Sequence, residues 1–186
     1  MATSGSFSTD IAAIRQRARD HLEQGALTQN YGGDVATAIS LLNDAVATEI
    51  VCVLRYRYHA ITATGIASDA VKKEFAEHAD EEQEHMLWLA DRINQLGGTP
   101  DMDPSGVSSR AASEYVEGED LVDMIRENLI AERIAIETYR DMIRYFADKD
   151  PTTRVLLEKI LAKEEEHADE MHDLLVAREG RPMLEH

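Results

Sequence analysis

The sequence predicts an all-α fold: a four-helix bundle with a long crossover between its second and third helices, preceded by a short N-terminal helix. Three observations predict it. Four stretches of about 30 residues repeat apolar side chains at the three/four spacing of an amphipathic helix. Two of the links between them are three to five residues long, whereas the middle link takes 22. Aromatics, prolines and glycines are few for 186 residues, which favours long helices over a sheet-rich fold.

Residues 1–33 form an N-terminal extension. Its first nine residues are small and polar, and Asp10 to about Gln24 predicts a helix (Ile11, Ile14, Ala18, Leu22) ending near Gly25. Arg15, Arg17 and Arg19 sit in it, diluted by Asp10, Asp20 and Glu23, and read as a surface helix rather than a nucleic-acid arm. The bundle is expected over 34–178. Its first long helix runs from an Asp34 cap to about Thr64, where Gly65 stops it, and turns Ala38, Ile39, Leu42, Val46, Glu49, Val53, Tyr56 and Ala60 inward. The second starts after a Ser68 cap and ends at Gly97-Gly98, with Val71, Phe75, Leu89, Ile93 and Leu96 on its stripe. Gly97 to Gly118 shows no helical period. The third helix, Glu119 to Ala147, turns Leu121, Ile125, Leu129, Glu132, Ile136, Tyr139 and Ile143 inward. Asp150-Pro151, a cap followed by proline at the first helical position, opens the fourth, which reaches about Arg178 with Leu157, Ile160, Leu161, Met171, Leu174 and Leu175 inward. Residues 179–186 are a tail, and its Leu184-Glu185-His186 looks like the start of an affinity tag.

Helices of this length span roughly 45 Å. The short links make each flanking pair an antiparallel hairpin. The middle link, reaching roughly 66 Å when extended, can run the whole bundle and leave helices two and three parallel.

Six polar side chains fall on the inward stripes: Glu49, Glu82-x-x-His85, Glu132 and Glu164-x-x-His167. A glutamate three residues before a histidine puts both on one helical face. Measured from the hairpin turns, Glu49, Glu82 and His85 lie roughly 26, 23 and 28 Å along the axis, and Glu132, Glu164 and His167 roughly 26, 22 and 26 Å. All six therefore share the mid-height of the bundle. The two halves also repeat: each has Glu, Tyr seven residues later (Tyr56, Tyr139), then Glu-x-x-His, with Glu-to-Glu spacings of 33 and 32. Buried carboxylates are costly unless paired, hydrogen-bonded or metal-bound. Four carboxylates and two imidazoles at one height suit two divalent ions, with iron or manganese favoured over a closed zinc site. Tyr56 and Tyr139 either hydrogen-bond a ligand carboxylate or fill core.

Composition narrows the partners. Cys52 stands alone, so an intrachain disulfide, a CxxC pair and a thiolate metal site are excluded. A net charge of −17 argues against nucleic acid and anionic membranes as partners and concentrates cations near the surface. No apolar run is read as a membrane span, and the N-terminus MATSGSFSTD lacks the pattern of a signal peptide, so a cytoplasmic location is expected.

The doubled motif on four long helices resembles the bacterioferritin type of ferritin, and even more the Dps-like mini-ferritins, over about residues 34–178. That resemblance implies Glu49 and Glu132 as terminal ligands, Glu82 and Glu164 as bridging ligands, and His85 and His167 as one imidazole for each of two irons per subunit. The implied activity is oxidation of Fe(II) by peroxide or dioxygen, with ferric oxide stored in a hollow homo-oligomeric shell. Where bacterioferritins place a haem-binding methionine after the first bridging glutamate, this chain has Gln83, which argues against haem. Little sequence follows the fourth helix, which favours a 12-subunit shell over the 24-subunit one built with a fifth helix. The paired cysteines typical of the Dps-like site are absent. The family also implies that the second helix contributes to the inner surface of the shell, where Glu77 and Glu81, four residues apart, would nucleate mineral. The leading expectation is thus an iron-storing ferroxidase. The alternatives are a manganese-catalase-like or other di-metal peroxide-consuming enzyme, or a DNA-protecting shell.

Overall fold

The computed structural model describes residues 9–65 and 68–179. The polar start of the chain up to residue 8, residues 66–67 of the first hairpin turn, and the tail with its tag-like end at 180–186 lie outside the described residues. The elements are α1 (Ile11–Arg17), a 3-10 turn (Leu22–Gln24), α2 (Val35–Thr62), α3 (Ser68–Gln95), α4 (Pro104–Arg110), α5 (Leu121–Phe146) and α6 (Pro151–Glu179). No strand occurs among the described residues.

The long helices begin and end where local chemistry dictates. Asp34 accepts from the Thr37 N–H at 2.7 Å and Asp120 from the Asp123 N–H at 2.9 Å, each satisfying a donor that the helix leaves orphaned. Ser68 is the first residue of α3 rather than its cap. The end of α3 is a Schellman motif. The Gly98 N–H reaches the Ile93 carbonyl at 2.9 Å and the Gly97 N–H reaches that of Asn94 at 3.0 Å, with Gly97 at φ 79°. A Cβ on Gly98 would come within 2.8 Å of Ile39, so glycine there lets α3 close onto α2. Asp150 caps α6 through Thr153 and also receives Arg92 of α3 and the hydroxyl of Tyr31, tying three segments at one buried carboxylate.

Side-chain pairs fix the topology. Arg57 of α2 meets Asp80 of α3, and Arg140 of α5 meets Glu165 of α6, so both hairpins are antiparallel. Tyr56 of α2 meets Glu132 of α5 while Glu49, earlier on α2, meets Tyr139, later on α5, so these helices are antiparallel and α3 and α5 run parallel, as the long link requires. That link lies along α2 and is held from Asn43 (to Thr99 and Asp101) to His59 (to Val116 and Glu117), a rise of roughly 24 Å.

Three expectations change. The link is not free of helix: α4 occupies Pro104–Arg110, capped by Asp103 on the Ser105 N–H, with Val107 packed on Ala47 and Val51. The signal was the Asp-Pro pair at 103–104, the same one that opens α6. The N-terminal helix ends at Arg17, seven residues in, followed by a separate 3-10 turn. Its apolar side chains Ile11, Ile14 and Leu22 stay exposed, so no packing offsets the ordering cost of a helix too short to stand alone. Finally, Val35–Thr62 is, by length and composition, apolar enough to cross a membrane, which the sequence reading overlooked. In the bundle it is a core helix, half of its most apolar 18 residues are buried in the protein, and it turns Glu49 and Arg55 inward.

The core has two apolar ends. One gathers Leu42, Val46, Leu89, Ile93, Phe146, Leu157 and Ile160; the other gathers Val71, Phe75, Met124, Ile125 and Met171. Burial of such side chains contributes roughly 1.5–3 kcal/mol each, which offsets the cost of the polar layer between them.

Candidate metal centre

The polar layer holds all six side chains expected there. Glu49, Glu82, His85, Glu132, Glu164 and His167 are each no more than 2 % exposed. α2 supplies Glu49, α3 supplies Glu82 and His85, α5 supplies Glu132, and α6 supplies Glu164 and His167. Their ligand atoms form two compact groups, Glu49–Glu82–His85–Glu164 and Glu82–Glu132–Glu164–His167, each with its atoms within 4.8 Å of one another. The groups share Glu82 and Glu164. Each adds one further glutamate and one histidine.

Both imidazoles turn Nδ1 to the centre. His85 Nδ1 lies 3.3 Å from Glu82 and 2.9 Å from Glu164, and His167 Nδ1 lies 3.2 Å from the other oxygen of Glu82. His167 Nε2 donates outward to Glu81 at 2.6 Å, whereas the ring of His85 packs against Trp88. The tyrosines bond across the bundle: Tyr56 of α2 donates to Glu132 of α5, and Tyr139 of α5 donates to Glu49 of α2. Of the two roles open to them, they take the carboxylate-bonding one.

Electrostatics records the crowding. Burial first, then the charge of Glu82 beside them, holds Glu49 and Glu164 well above the ordinary carboxylate range. Glu82 is buried equally, but hydrogen bonds from His167, His85 and Glu49 overcome that cost and hold it well below the range. Burial opposes the charge of His167, yet Glu82, Glu132 and Glu81 together raise it to about 9. Burial and neighbouring glutamates raise both tyrosines, which keeps them hydrogen-bond donors. Glu49 Oε2 and Glu132 Oε2 are buried without a hydrogen-bond partner, and Glu164 Oε1 is met only by His85 Nδ1 at 2.9 Å. Such orphaned acceptors are rare in folded proteins. Buried oxygens of this kind within the two ligand groups are what a divalent cation pair would satisfy, so the residues fit a di-metal centre.

Other polar residues at this level were not foreseen as part of it. His78, one turn before Glu82, stacks on His167 with ring centroids 4.0 Å apart and places Nδ1 3.1 Å from the Tyr56 hydroxyl. Burial and the charge of His167 lower its affinity for a proton. Its place on the stripe of Glu82 was the available signal. Arg55, buried at 1 % exposure, donates to Asn128 at 2.9 Å and to the Glu114 carbonyl at 2.9 Å. Asn128 in turn donates to His59 Nδ1, and His59 Nε2 donates to the Val116 and Glu117 carbonyls. This network pins the crossover beside the centre. Glu77 and Glu81 line a surface cavity of about 320 Å³ between α3 and α6, where Glu77 pairs with Lys73, and Glu81 pairs with Lys163 and His167.

Known proteins share this architecture. A solved structure described as a dodecameric thioferritin, the bacterioferritin-related protein of Bacteroides fragilis, is 34% identical with a TM-score of 0.77, covering 83% of this chain and 94% of that one. The DNA protection during starvation protein of Pyrococcus furiosus is 30% identical over 165 residues, 84% of this chain and 89% of its own length. The nutrient stress-induced DNA-binding protein of a Synechococcus strain is 30% identical over 132 residues, 68% of this chain and 74% of its own. These names overturn the argument from net charge against nucleic acid as a partner. A net charge is a sum over the chain and does not describe any one patch, and Arg15, Arg17 and Arg19 cluster within two turns near α1. The names also favour the alternative given last above, a DNA-protecting shell, over a plain iron store. With the ferritin-like domain matched along residues 39–179, and the two overlapping carboxylate–histidine groups within it, the chain belongs to the ferritin family, close to the bacterioferritin and Dps-type mini-ferritins.

Proposed function

We propose that the chain is the subunit of a protective shell that removes Fe(II) and an oxidant together, and so shields DNA from their reaction. One observation carries this reading: two ligand groups, each with its own glutamate and histidine, that share Glu82 and Glu164. In this assignment Glu49 and Glu132 are terminal ligands, Glu82 and Glu164 bridge, and His85 and His167 bind through Nδ1. Fe(II) is the substrate: two ions give up one electron each, and peroxide takes both with two protons and leaves as two waters. Dioxygen is the other oxidant the site would serve. The carboxylates hold the charge that develops as the ions are oxidised, and the proton on His167 is released as a cation arrives.

The relatives' names support the protective role and the assembly. A dodecamer is proposed from the thioferritin likeness. Contact with DNA is proposed at the arginines in and just after α1, where Arg15 and Arg19 are exposed. Phosphate contacts by a few arginines on an acidic protein should weaken steeply with salt. Glu77 and Glu81 are proposed as the place where ferric ions first collect, because neighbouring carboxylates hold hard cations through oxygen.

The test mixes supercoiled DNA, Fe(II) and peroxide with the protein. Wild type should protect the DNA from nicking, and an E82A/E164A variant should not. Rapid oxygen release from peroxide with manganese bound would point instead to a catalase-like enzyme. A shift of DNA mobility at low salt, lost when Arg15, Arg17 and Arg19 become glutamine, would separate protection by contact from protection by chemistry alone.

A further inference from the structure

Arg55 is the one lysine or arginine buried among the described residues, at 1 % exposure. An arginine keeps its charge at any pH a protein meets, and a buried charge is costly unless a countercharge answers it. The acceptors that Arg55 reaches do not supply one. Nε donates to the Asn128 amide oxygen at 2.9 Å, Nη1 to the Glu114 backbone carbonyl at 2.9 Å, and Nη2 to Cys52 Sγ at 3.6 Å. Burial holds the Cys52 thiol well above its ordinary pKa, so the sulfur is uncharged as well.

The countercharge comes from the metal centre. Cys52 follows Glu49 by three residues on α2, and Asn128 precedes Glu132 by four on α5. Because these two helices are antiparallel, both lie on the same side of the ligand layer, and a guanidinium bonded to both stands about one helical turn from it. Its carbon is 5.8 Å from the ring centroid of Tyr56, whose hydroxyl donates to Glu132. Burial disfavours the charge of Arg55, but the neighbouring thiol and phenol and the carboxylates of Glu132 and Glu82 outweigh it. Burial keeps that thiol and that phenol protonated, which leaves the glutamates as the groups that balance the arginine.

A fixed positive charge in this place acts oppositely on the empty and the filled centre. With no cation present it attracts the crowded carboxylates. With cations present it repels them, and the repulsion grows in proportion to their charge. A ferric ion carries half as much charge again as a ferrous one, so the same guanidinium opposes the product more than the substrate. Pinning the crossover, the other task of this network, has the reverse effect, since it tightens the site for ions of every charge.

From this placement we infer that Arg55 determines which ions the centre keeps. Its charge steadies the glutamates while the site is empty, and in the filled site it disfavours trivalent ions more than divalent ones and so eases the ferric product out. The inference rests on the di-metal reading above.

The test is anaerobic titration of the chelator-stripped, full-length oligomer with Co(II), followed by visible absorption, and with Ga(III) supplied from nitrilotriacetate as a trivalent ion of fixed oxidation state, followed by displacement of bound Co(II). Compared with wild type, R55Q should bind Co(II) tighter by about tenfold or more and Ga(III) by a larger factor, about thirtyfold for a gain of about tenfold with Co(II). N128A unpins the crossover but keeps the charge, and should tighten neither ion. R55M, uncharged and apolar, should repeat R55Q and stands in for it if the glutamine variant does not fold. Wild type supplies a further readout that needs no variant: after two Fe(II) per subunit have been oxidised, the centre should empty and bind Co(II) again. Gains for Co(II) and Ga(III) that are equal, or absent, in R55Q would overturn the inference. A matching gain in N128A would do the same, as would a wild-type centre that keeps its ferric pair. Failure of the di-metal reading would look different, because wild type itself would then take up no pair of Co(II).

Discussion

Tyr139 donates its hydroxyl to Glu49 from the opposite hairpin, and Tyr56 does the same for Glu132. Each tyrosine therefore holds the unshared glutamate of the half to which it does not belong. The hydroxyl also gives Glu49 a donor while its other oxygen remains without one. Tyr139→Phe keeps the ring in the core and removes only that donor. The apo protein should lose about 1–2 kcal/mol of stability, the cost of stranding a buried acceptor. Cation binding should shrink the loss, since the metal then serves the carboxylate. Equal losses in apo and loaded protein, measured by denaturant unfolding, would show that the hydroxyl does not act through Glu49.

The apo protein should become less stable as pH rises from mildly acid to alkaline. Glu49 and Glu164 have folded-state pKa values well above the ordinary range, so the folded chain holds protons that the unfolded chain has released. Stability from these groups is present at low pH and is lost as pH climbs past the ordinary carboxylate value. His167 acts in the same direction over a higher window: its contribution is complete below the ordinary value near 6.5 and is lost as pH rises through about 9. Glu82 works oppositely, since its depressed pKa makes its contribution present above the ordinary range and lost only in acid. Melting of chelator-stripped protein should therefore show a falling midpoint between about pH 6.5 and 9. Added Mn(II) should raise the midpoint more at the alkaline end, because cations compete with protons for the same ligands. A flat apo profile across that window would contradict the charge arrangement described here.

Asp150 should be the costliest single acid to replace outside the centre. It caps α6 through Thr153, accepts from one guanidinium nitrogen of Arg92 on both carboxylate oxygens at 3.0 Å, and accepts from Tyr31, all at 3 % exposure. Burial raises its pKa, but bonds from Thr153, Arg92 and Tyr31 overcome this and leave it below the ordinary value. Asp150→Ala removes a helix cap and strands a mostly buried arginine, at a cost of about 3 kcal/mol or more. Asp150→Asn keeps part of the cap and should cost less. If the two variants unfold at the same denaturant concentration, the cap that asparagine retains contributes nothing and the whole loss follows from the charge.

What the sequence made legible follows from periodicity. A glutamate on an apolar stripe is conspicuous because burial penalises it, and six such groups at one height could be found by counting residues from two turns. The crossing of the tyrosines could not be found that way, because it depends on which helices of the two hairpins lie side by side. Arg55 was missed for a related reason: its partners Asn128 and Glu114 come from distant segments, and a lone arginine on a long helix reads as surface charge. α4 was visible in principle, since Asp103-Pro104 repeats the signal of Asp150-Pro151, but a seven-residue helix shows too few turns for a period. His78 lay on the right stripe, yet its stacking on His167 and its contact with Tyr56 come from α6 and α2, which its own helix does not reveal.

The acids of α3 should separate into two roles when changed one at a time. His167 presents Nδ1 to the centre and donates from Nε2 to Glu81 at 2.6 Å, the arrangement in which an outer carboxylate fixes the orientation of a ligating imidazole. Glu77 has no such partner; its carboxylate pairs with Lys73 at the rim of the same cavity. Glu81→Gln should weaken cation binding at the centre by roughly 10- to 100-fold, the usual effect of losing such a partner. It should therefore slow the oxidation of the first two Fe(II) added per subunit. Glu77→Gln should leave that first oxidation unchanged and slow only the later growth of mineral at high iron loading. Stopped-flow oxidation at low and at high iron-to-subunit ratios separates the phases. If Glu81→Gln oxidises the first pair at the wild-type rate, the bond to His167 does not orient the ligand. If Glu77→Gln fills its shell as fast as wild type, that carboxylate is surface charge and mineral begins elsewhere.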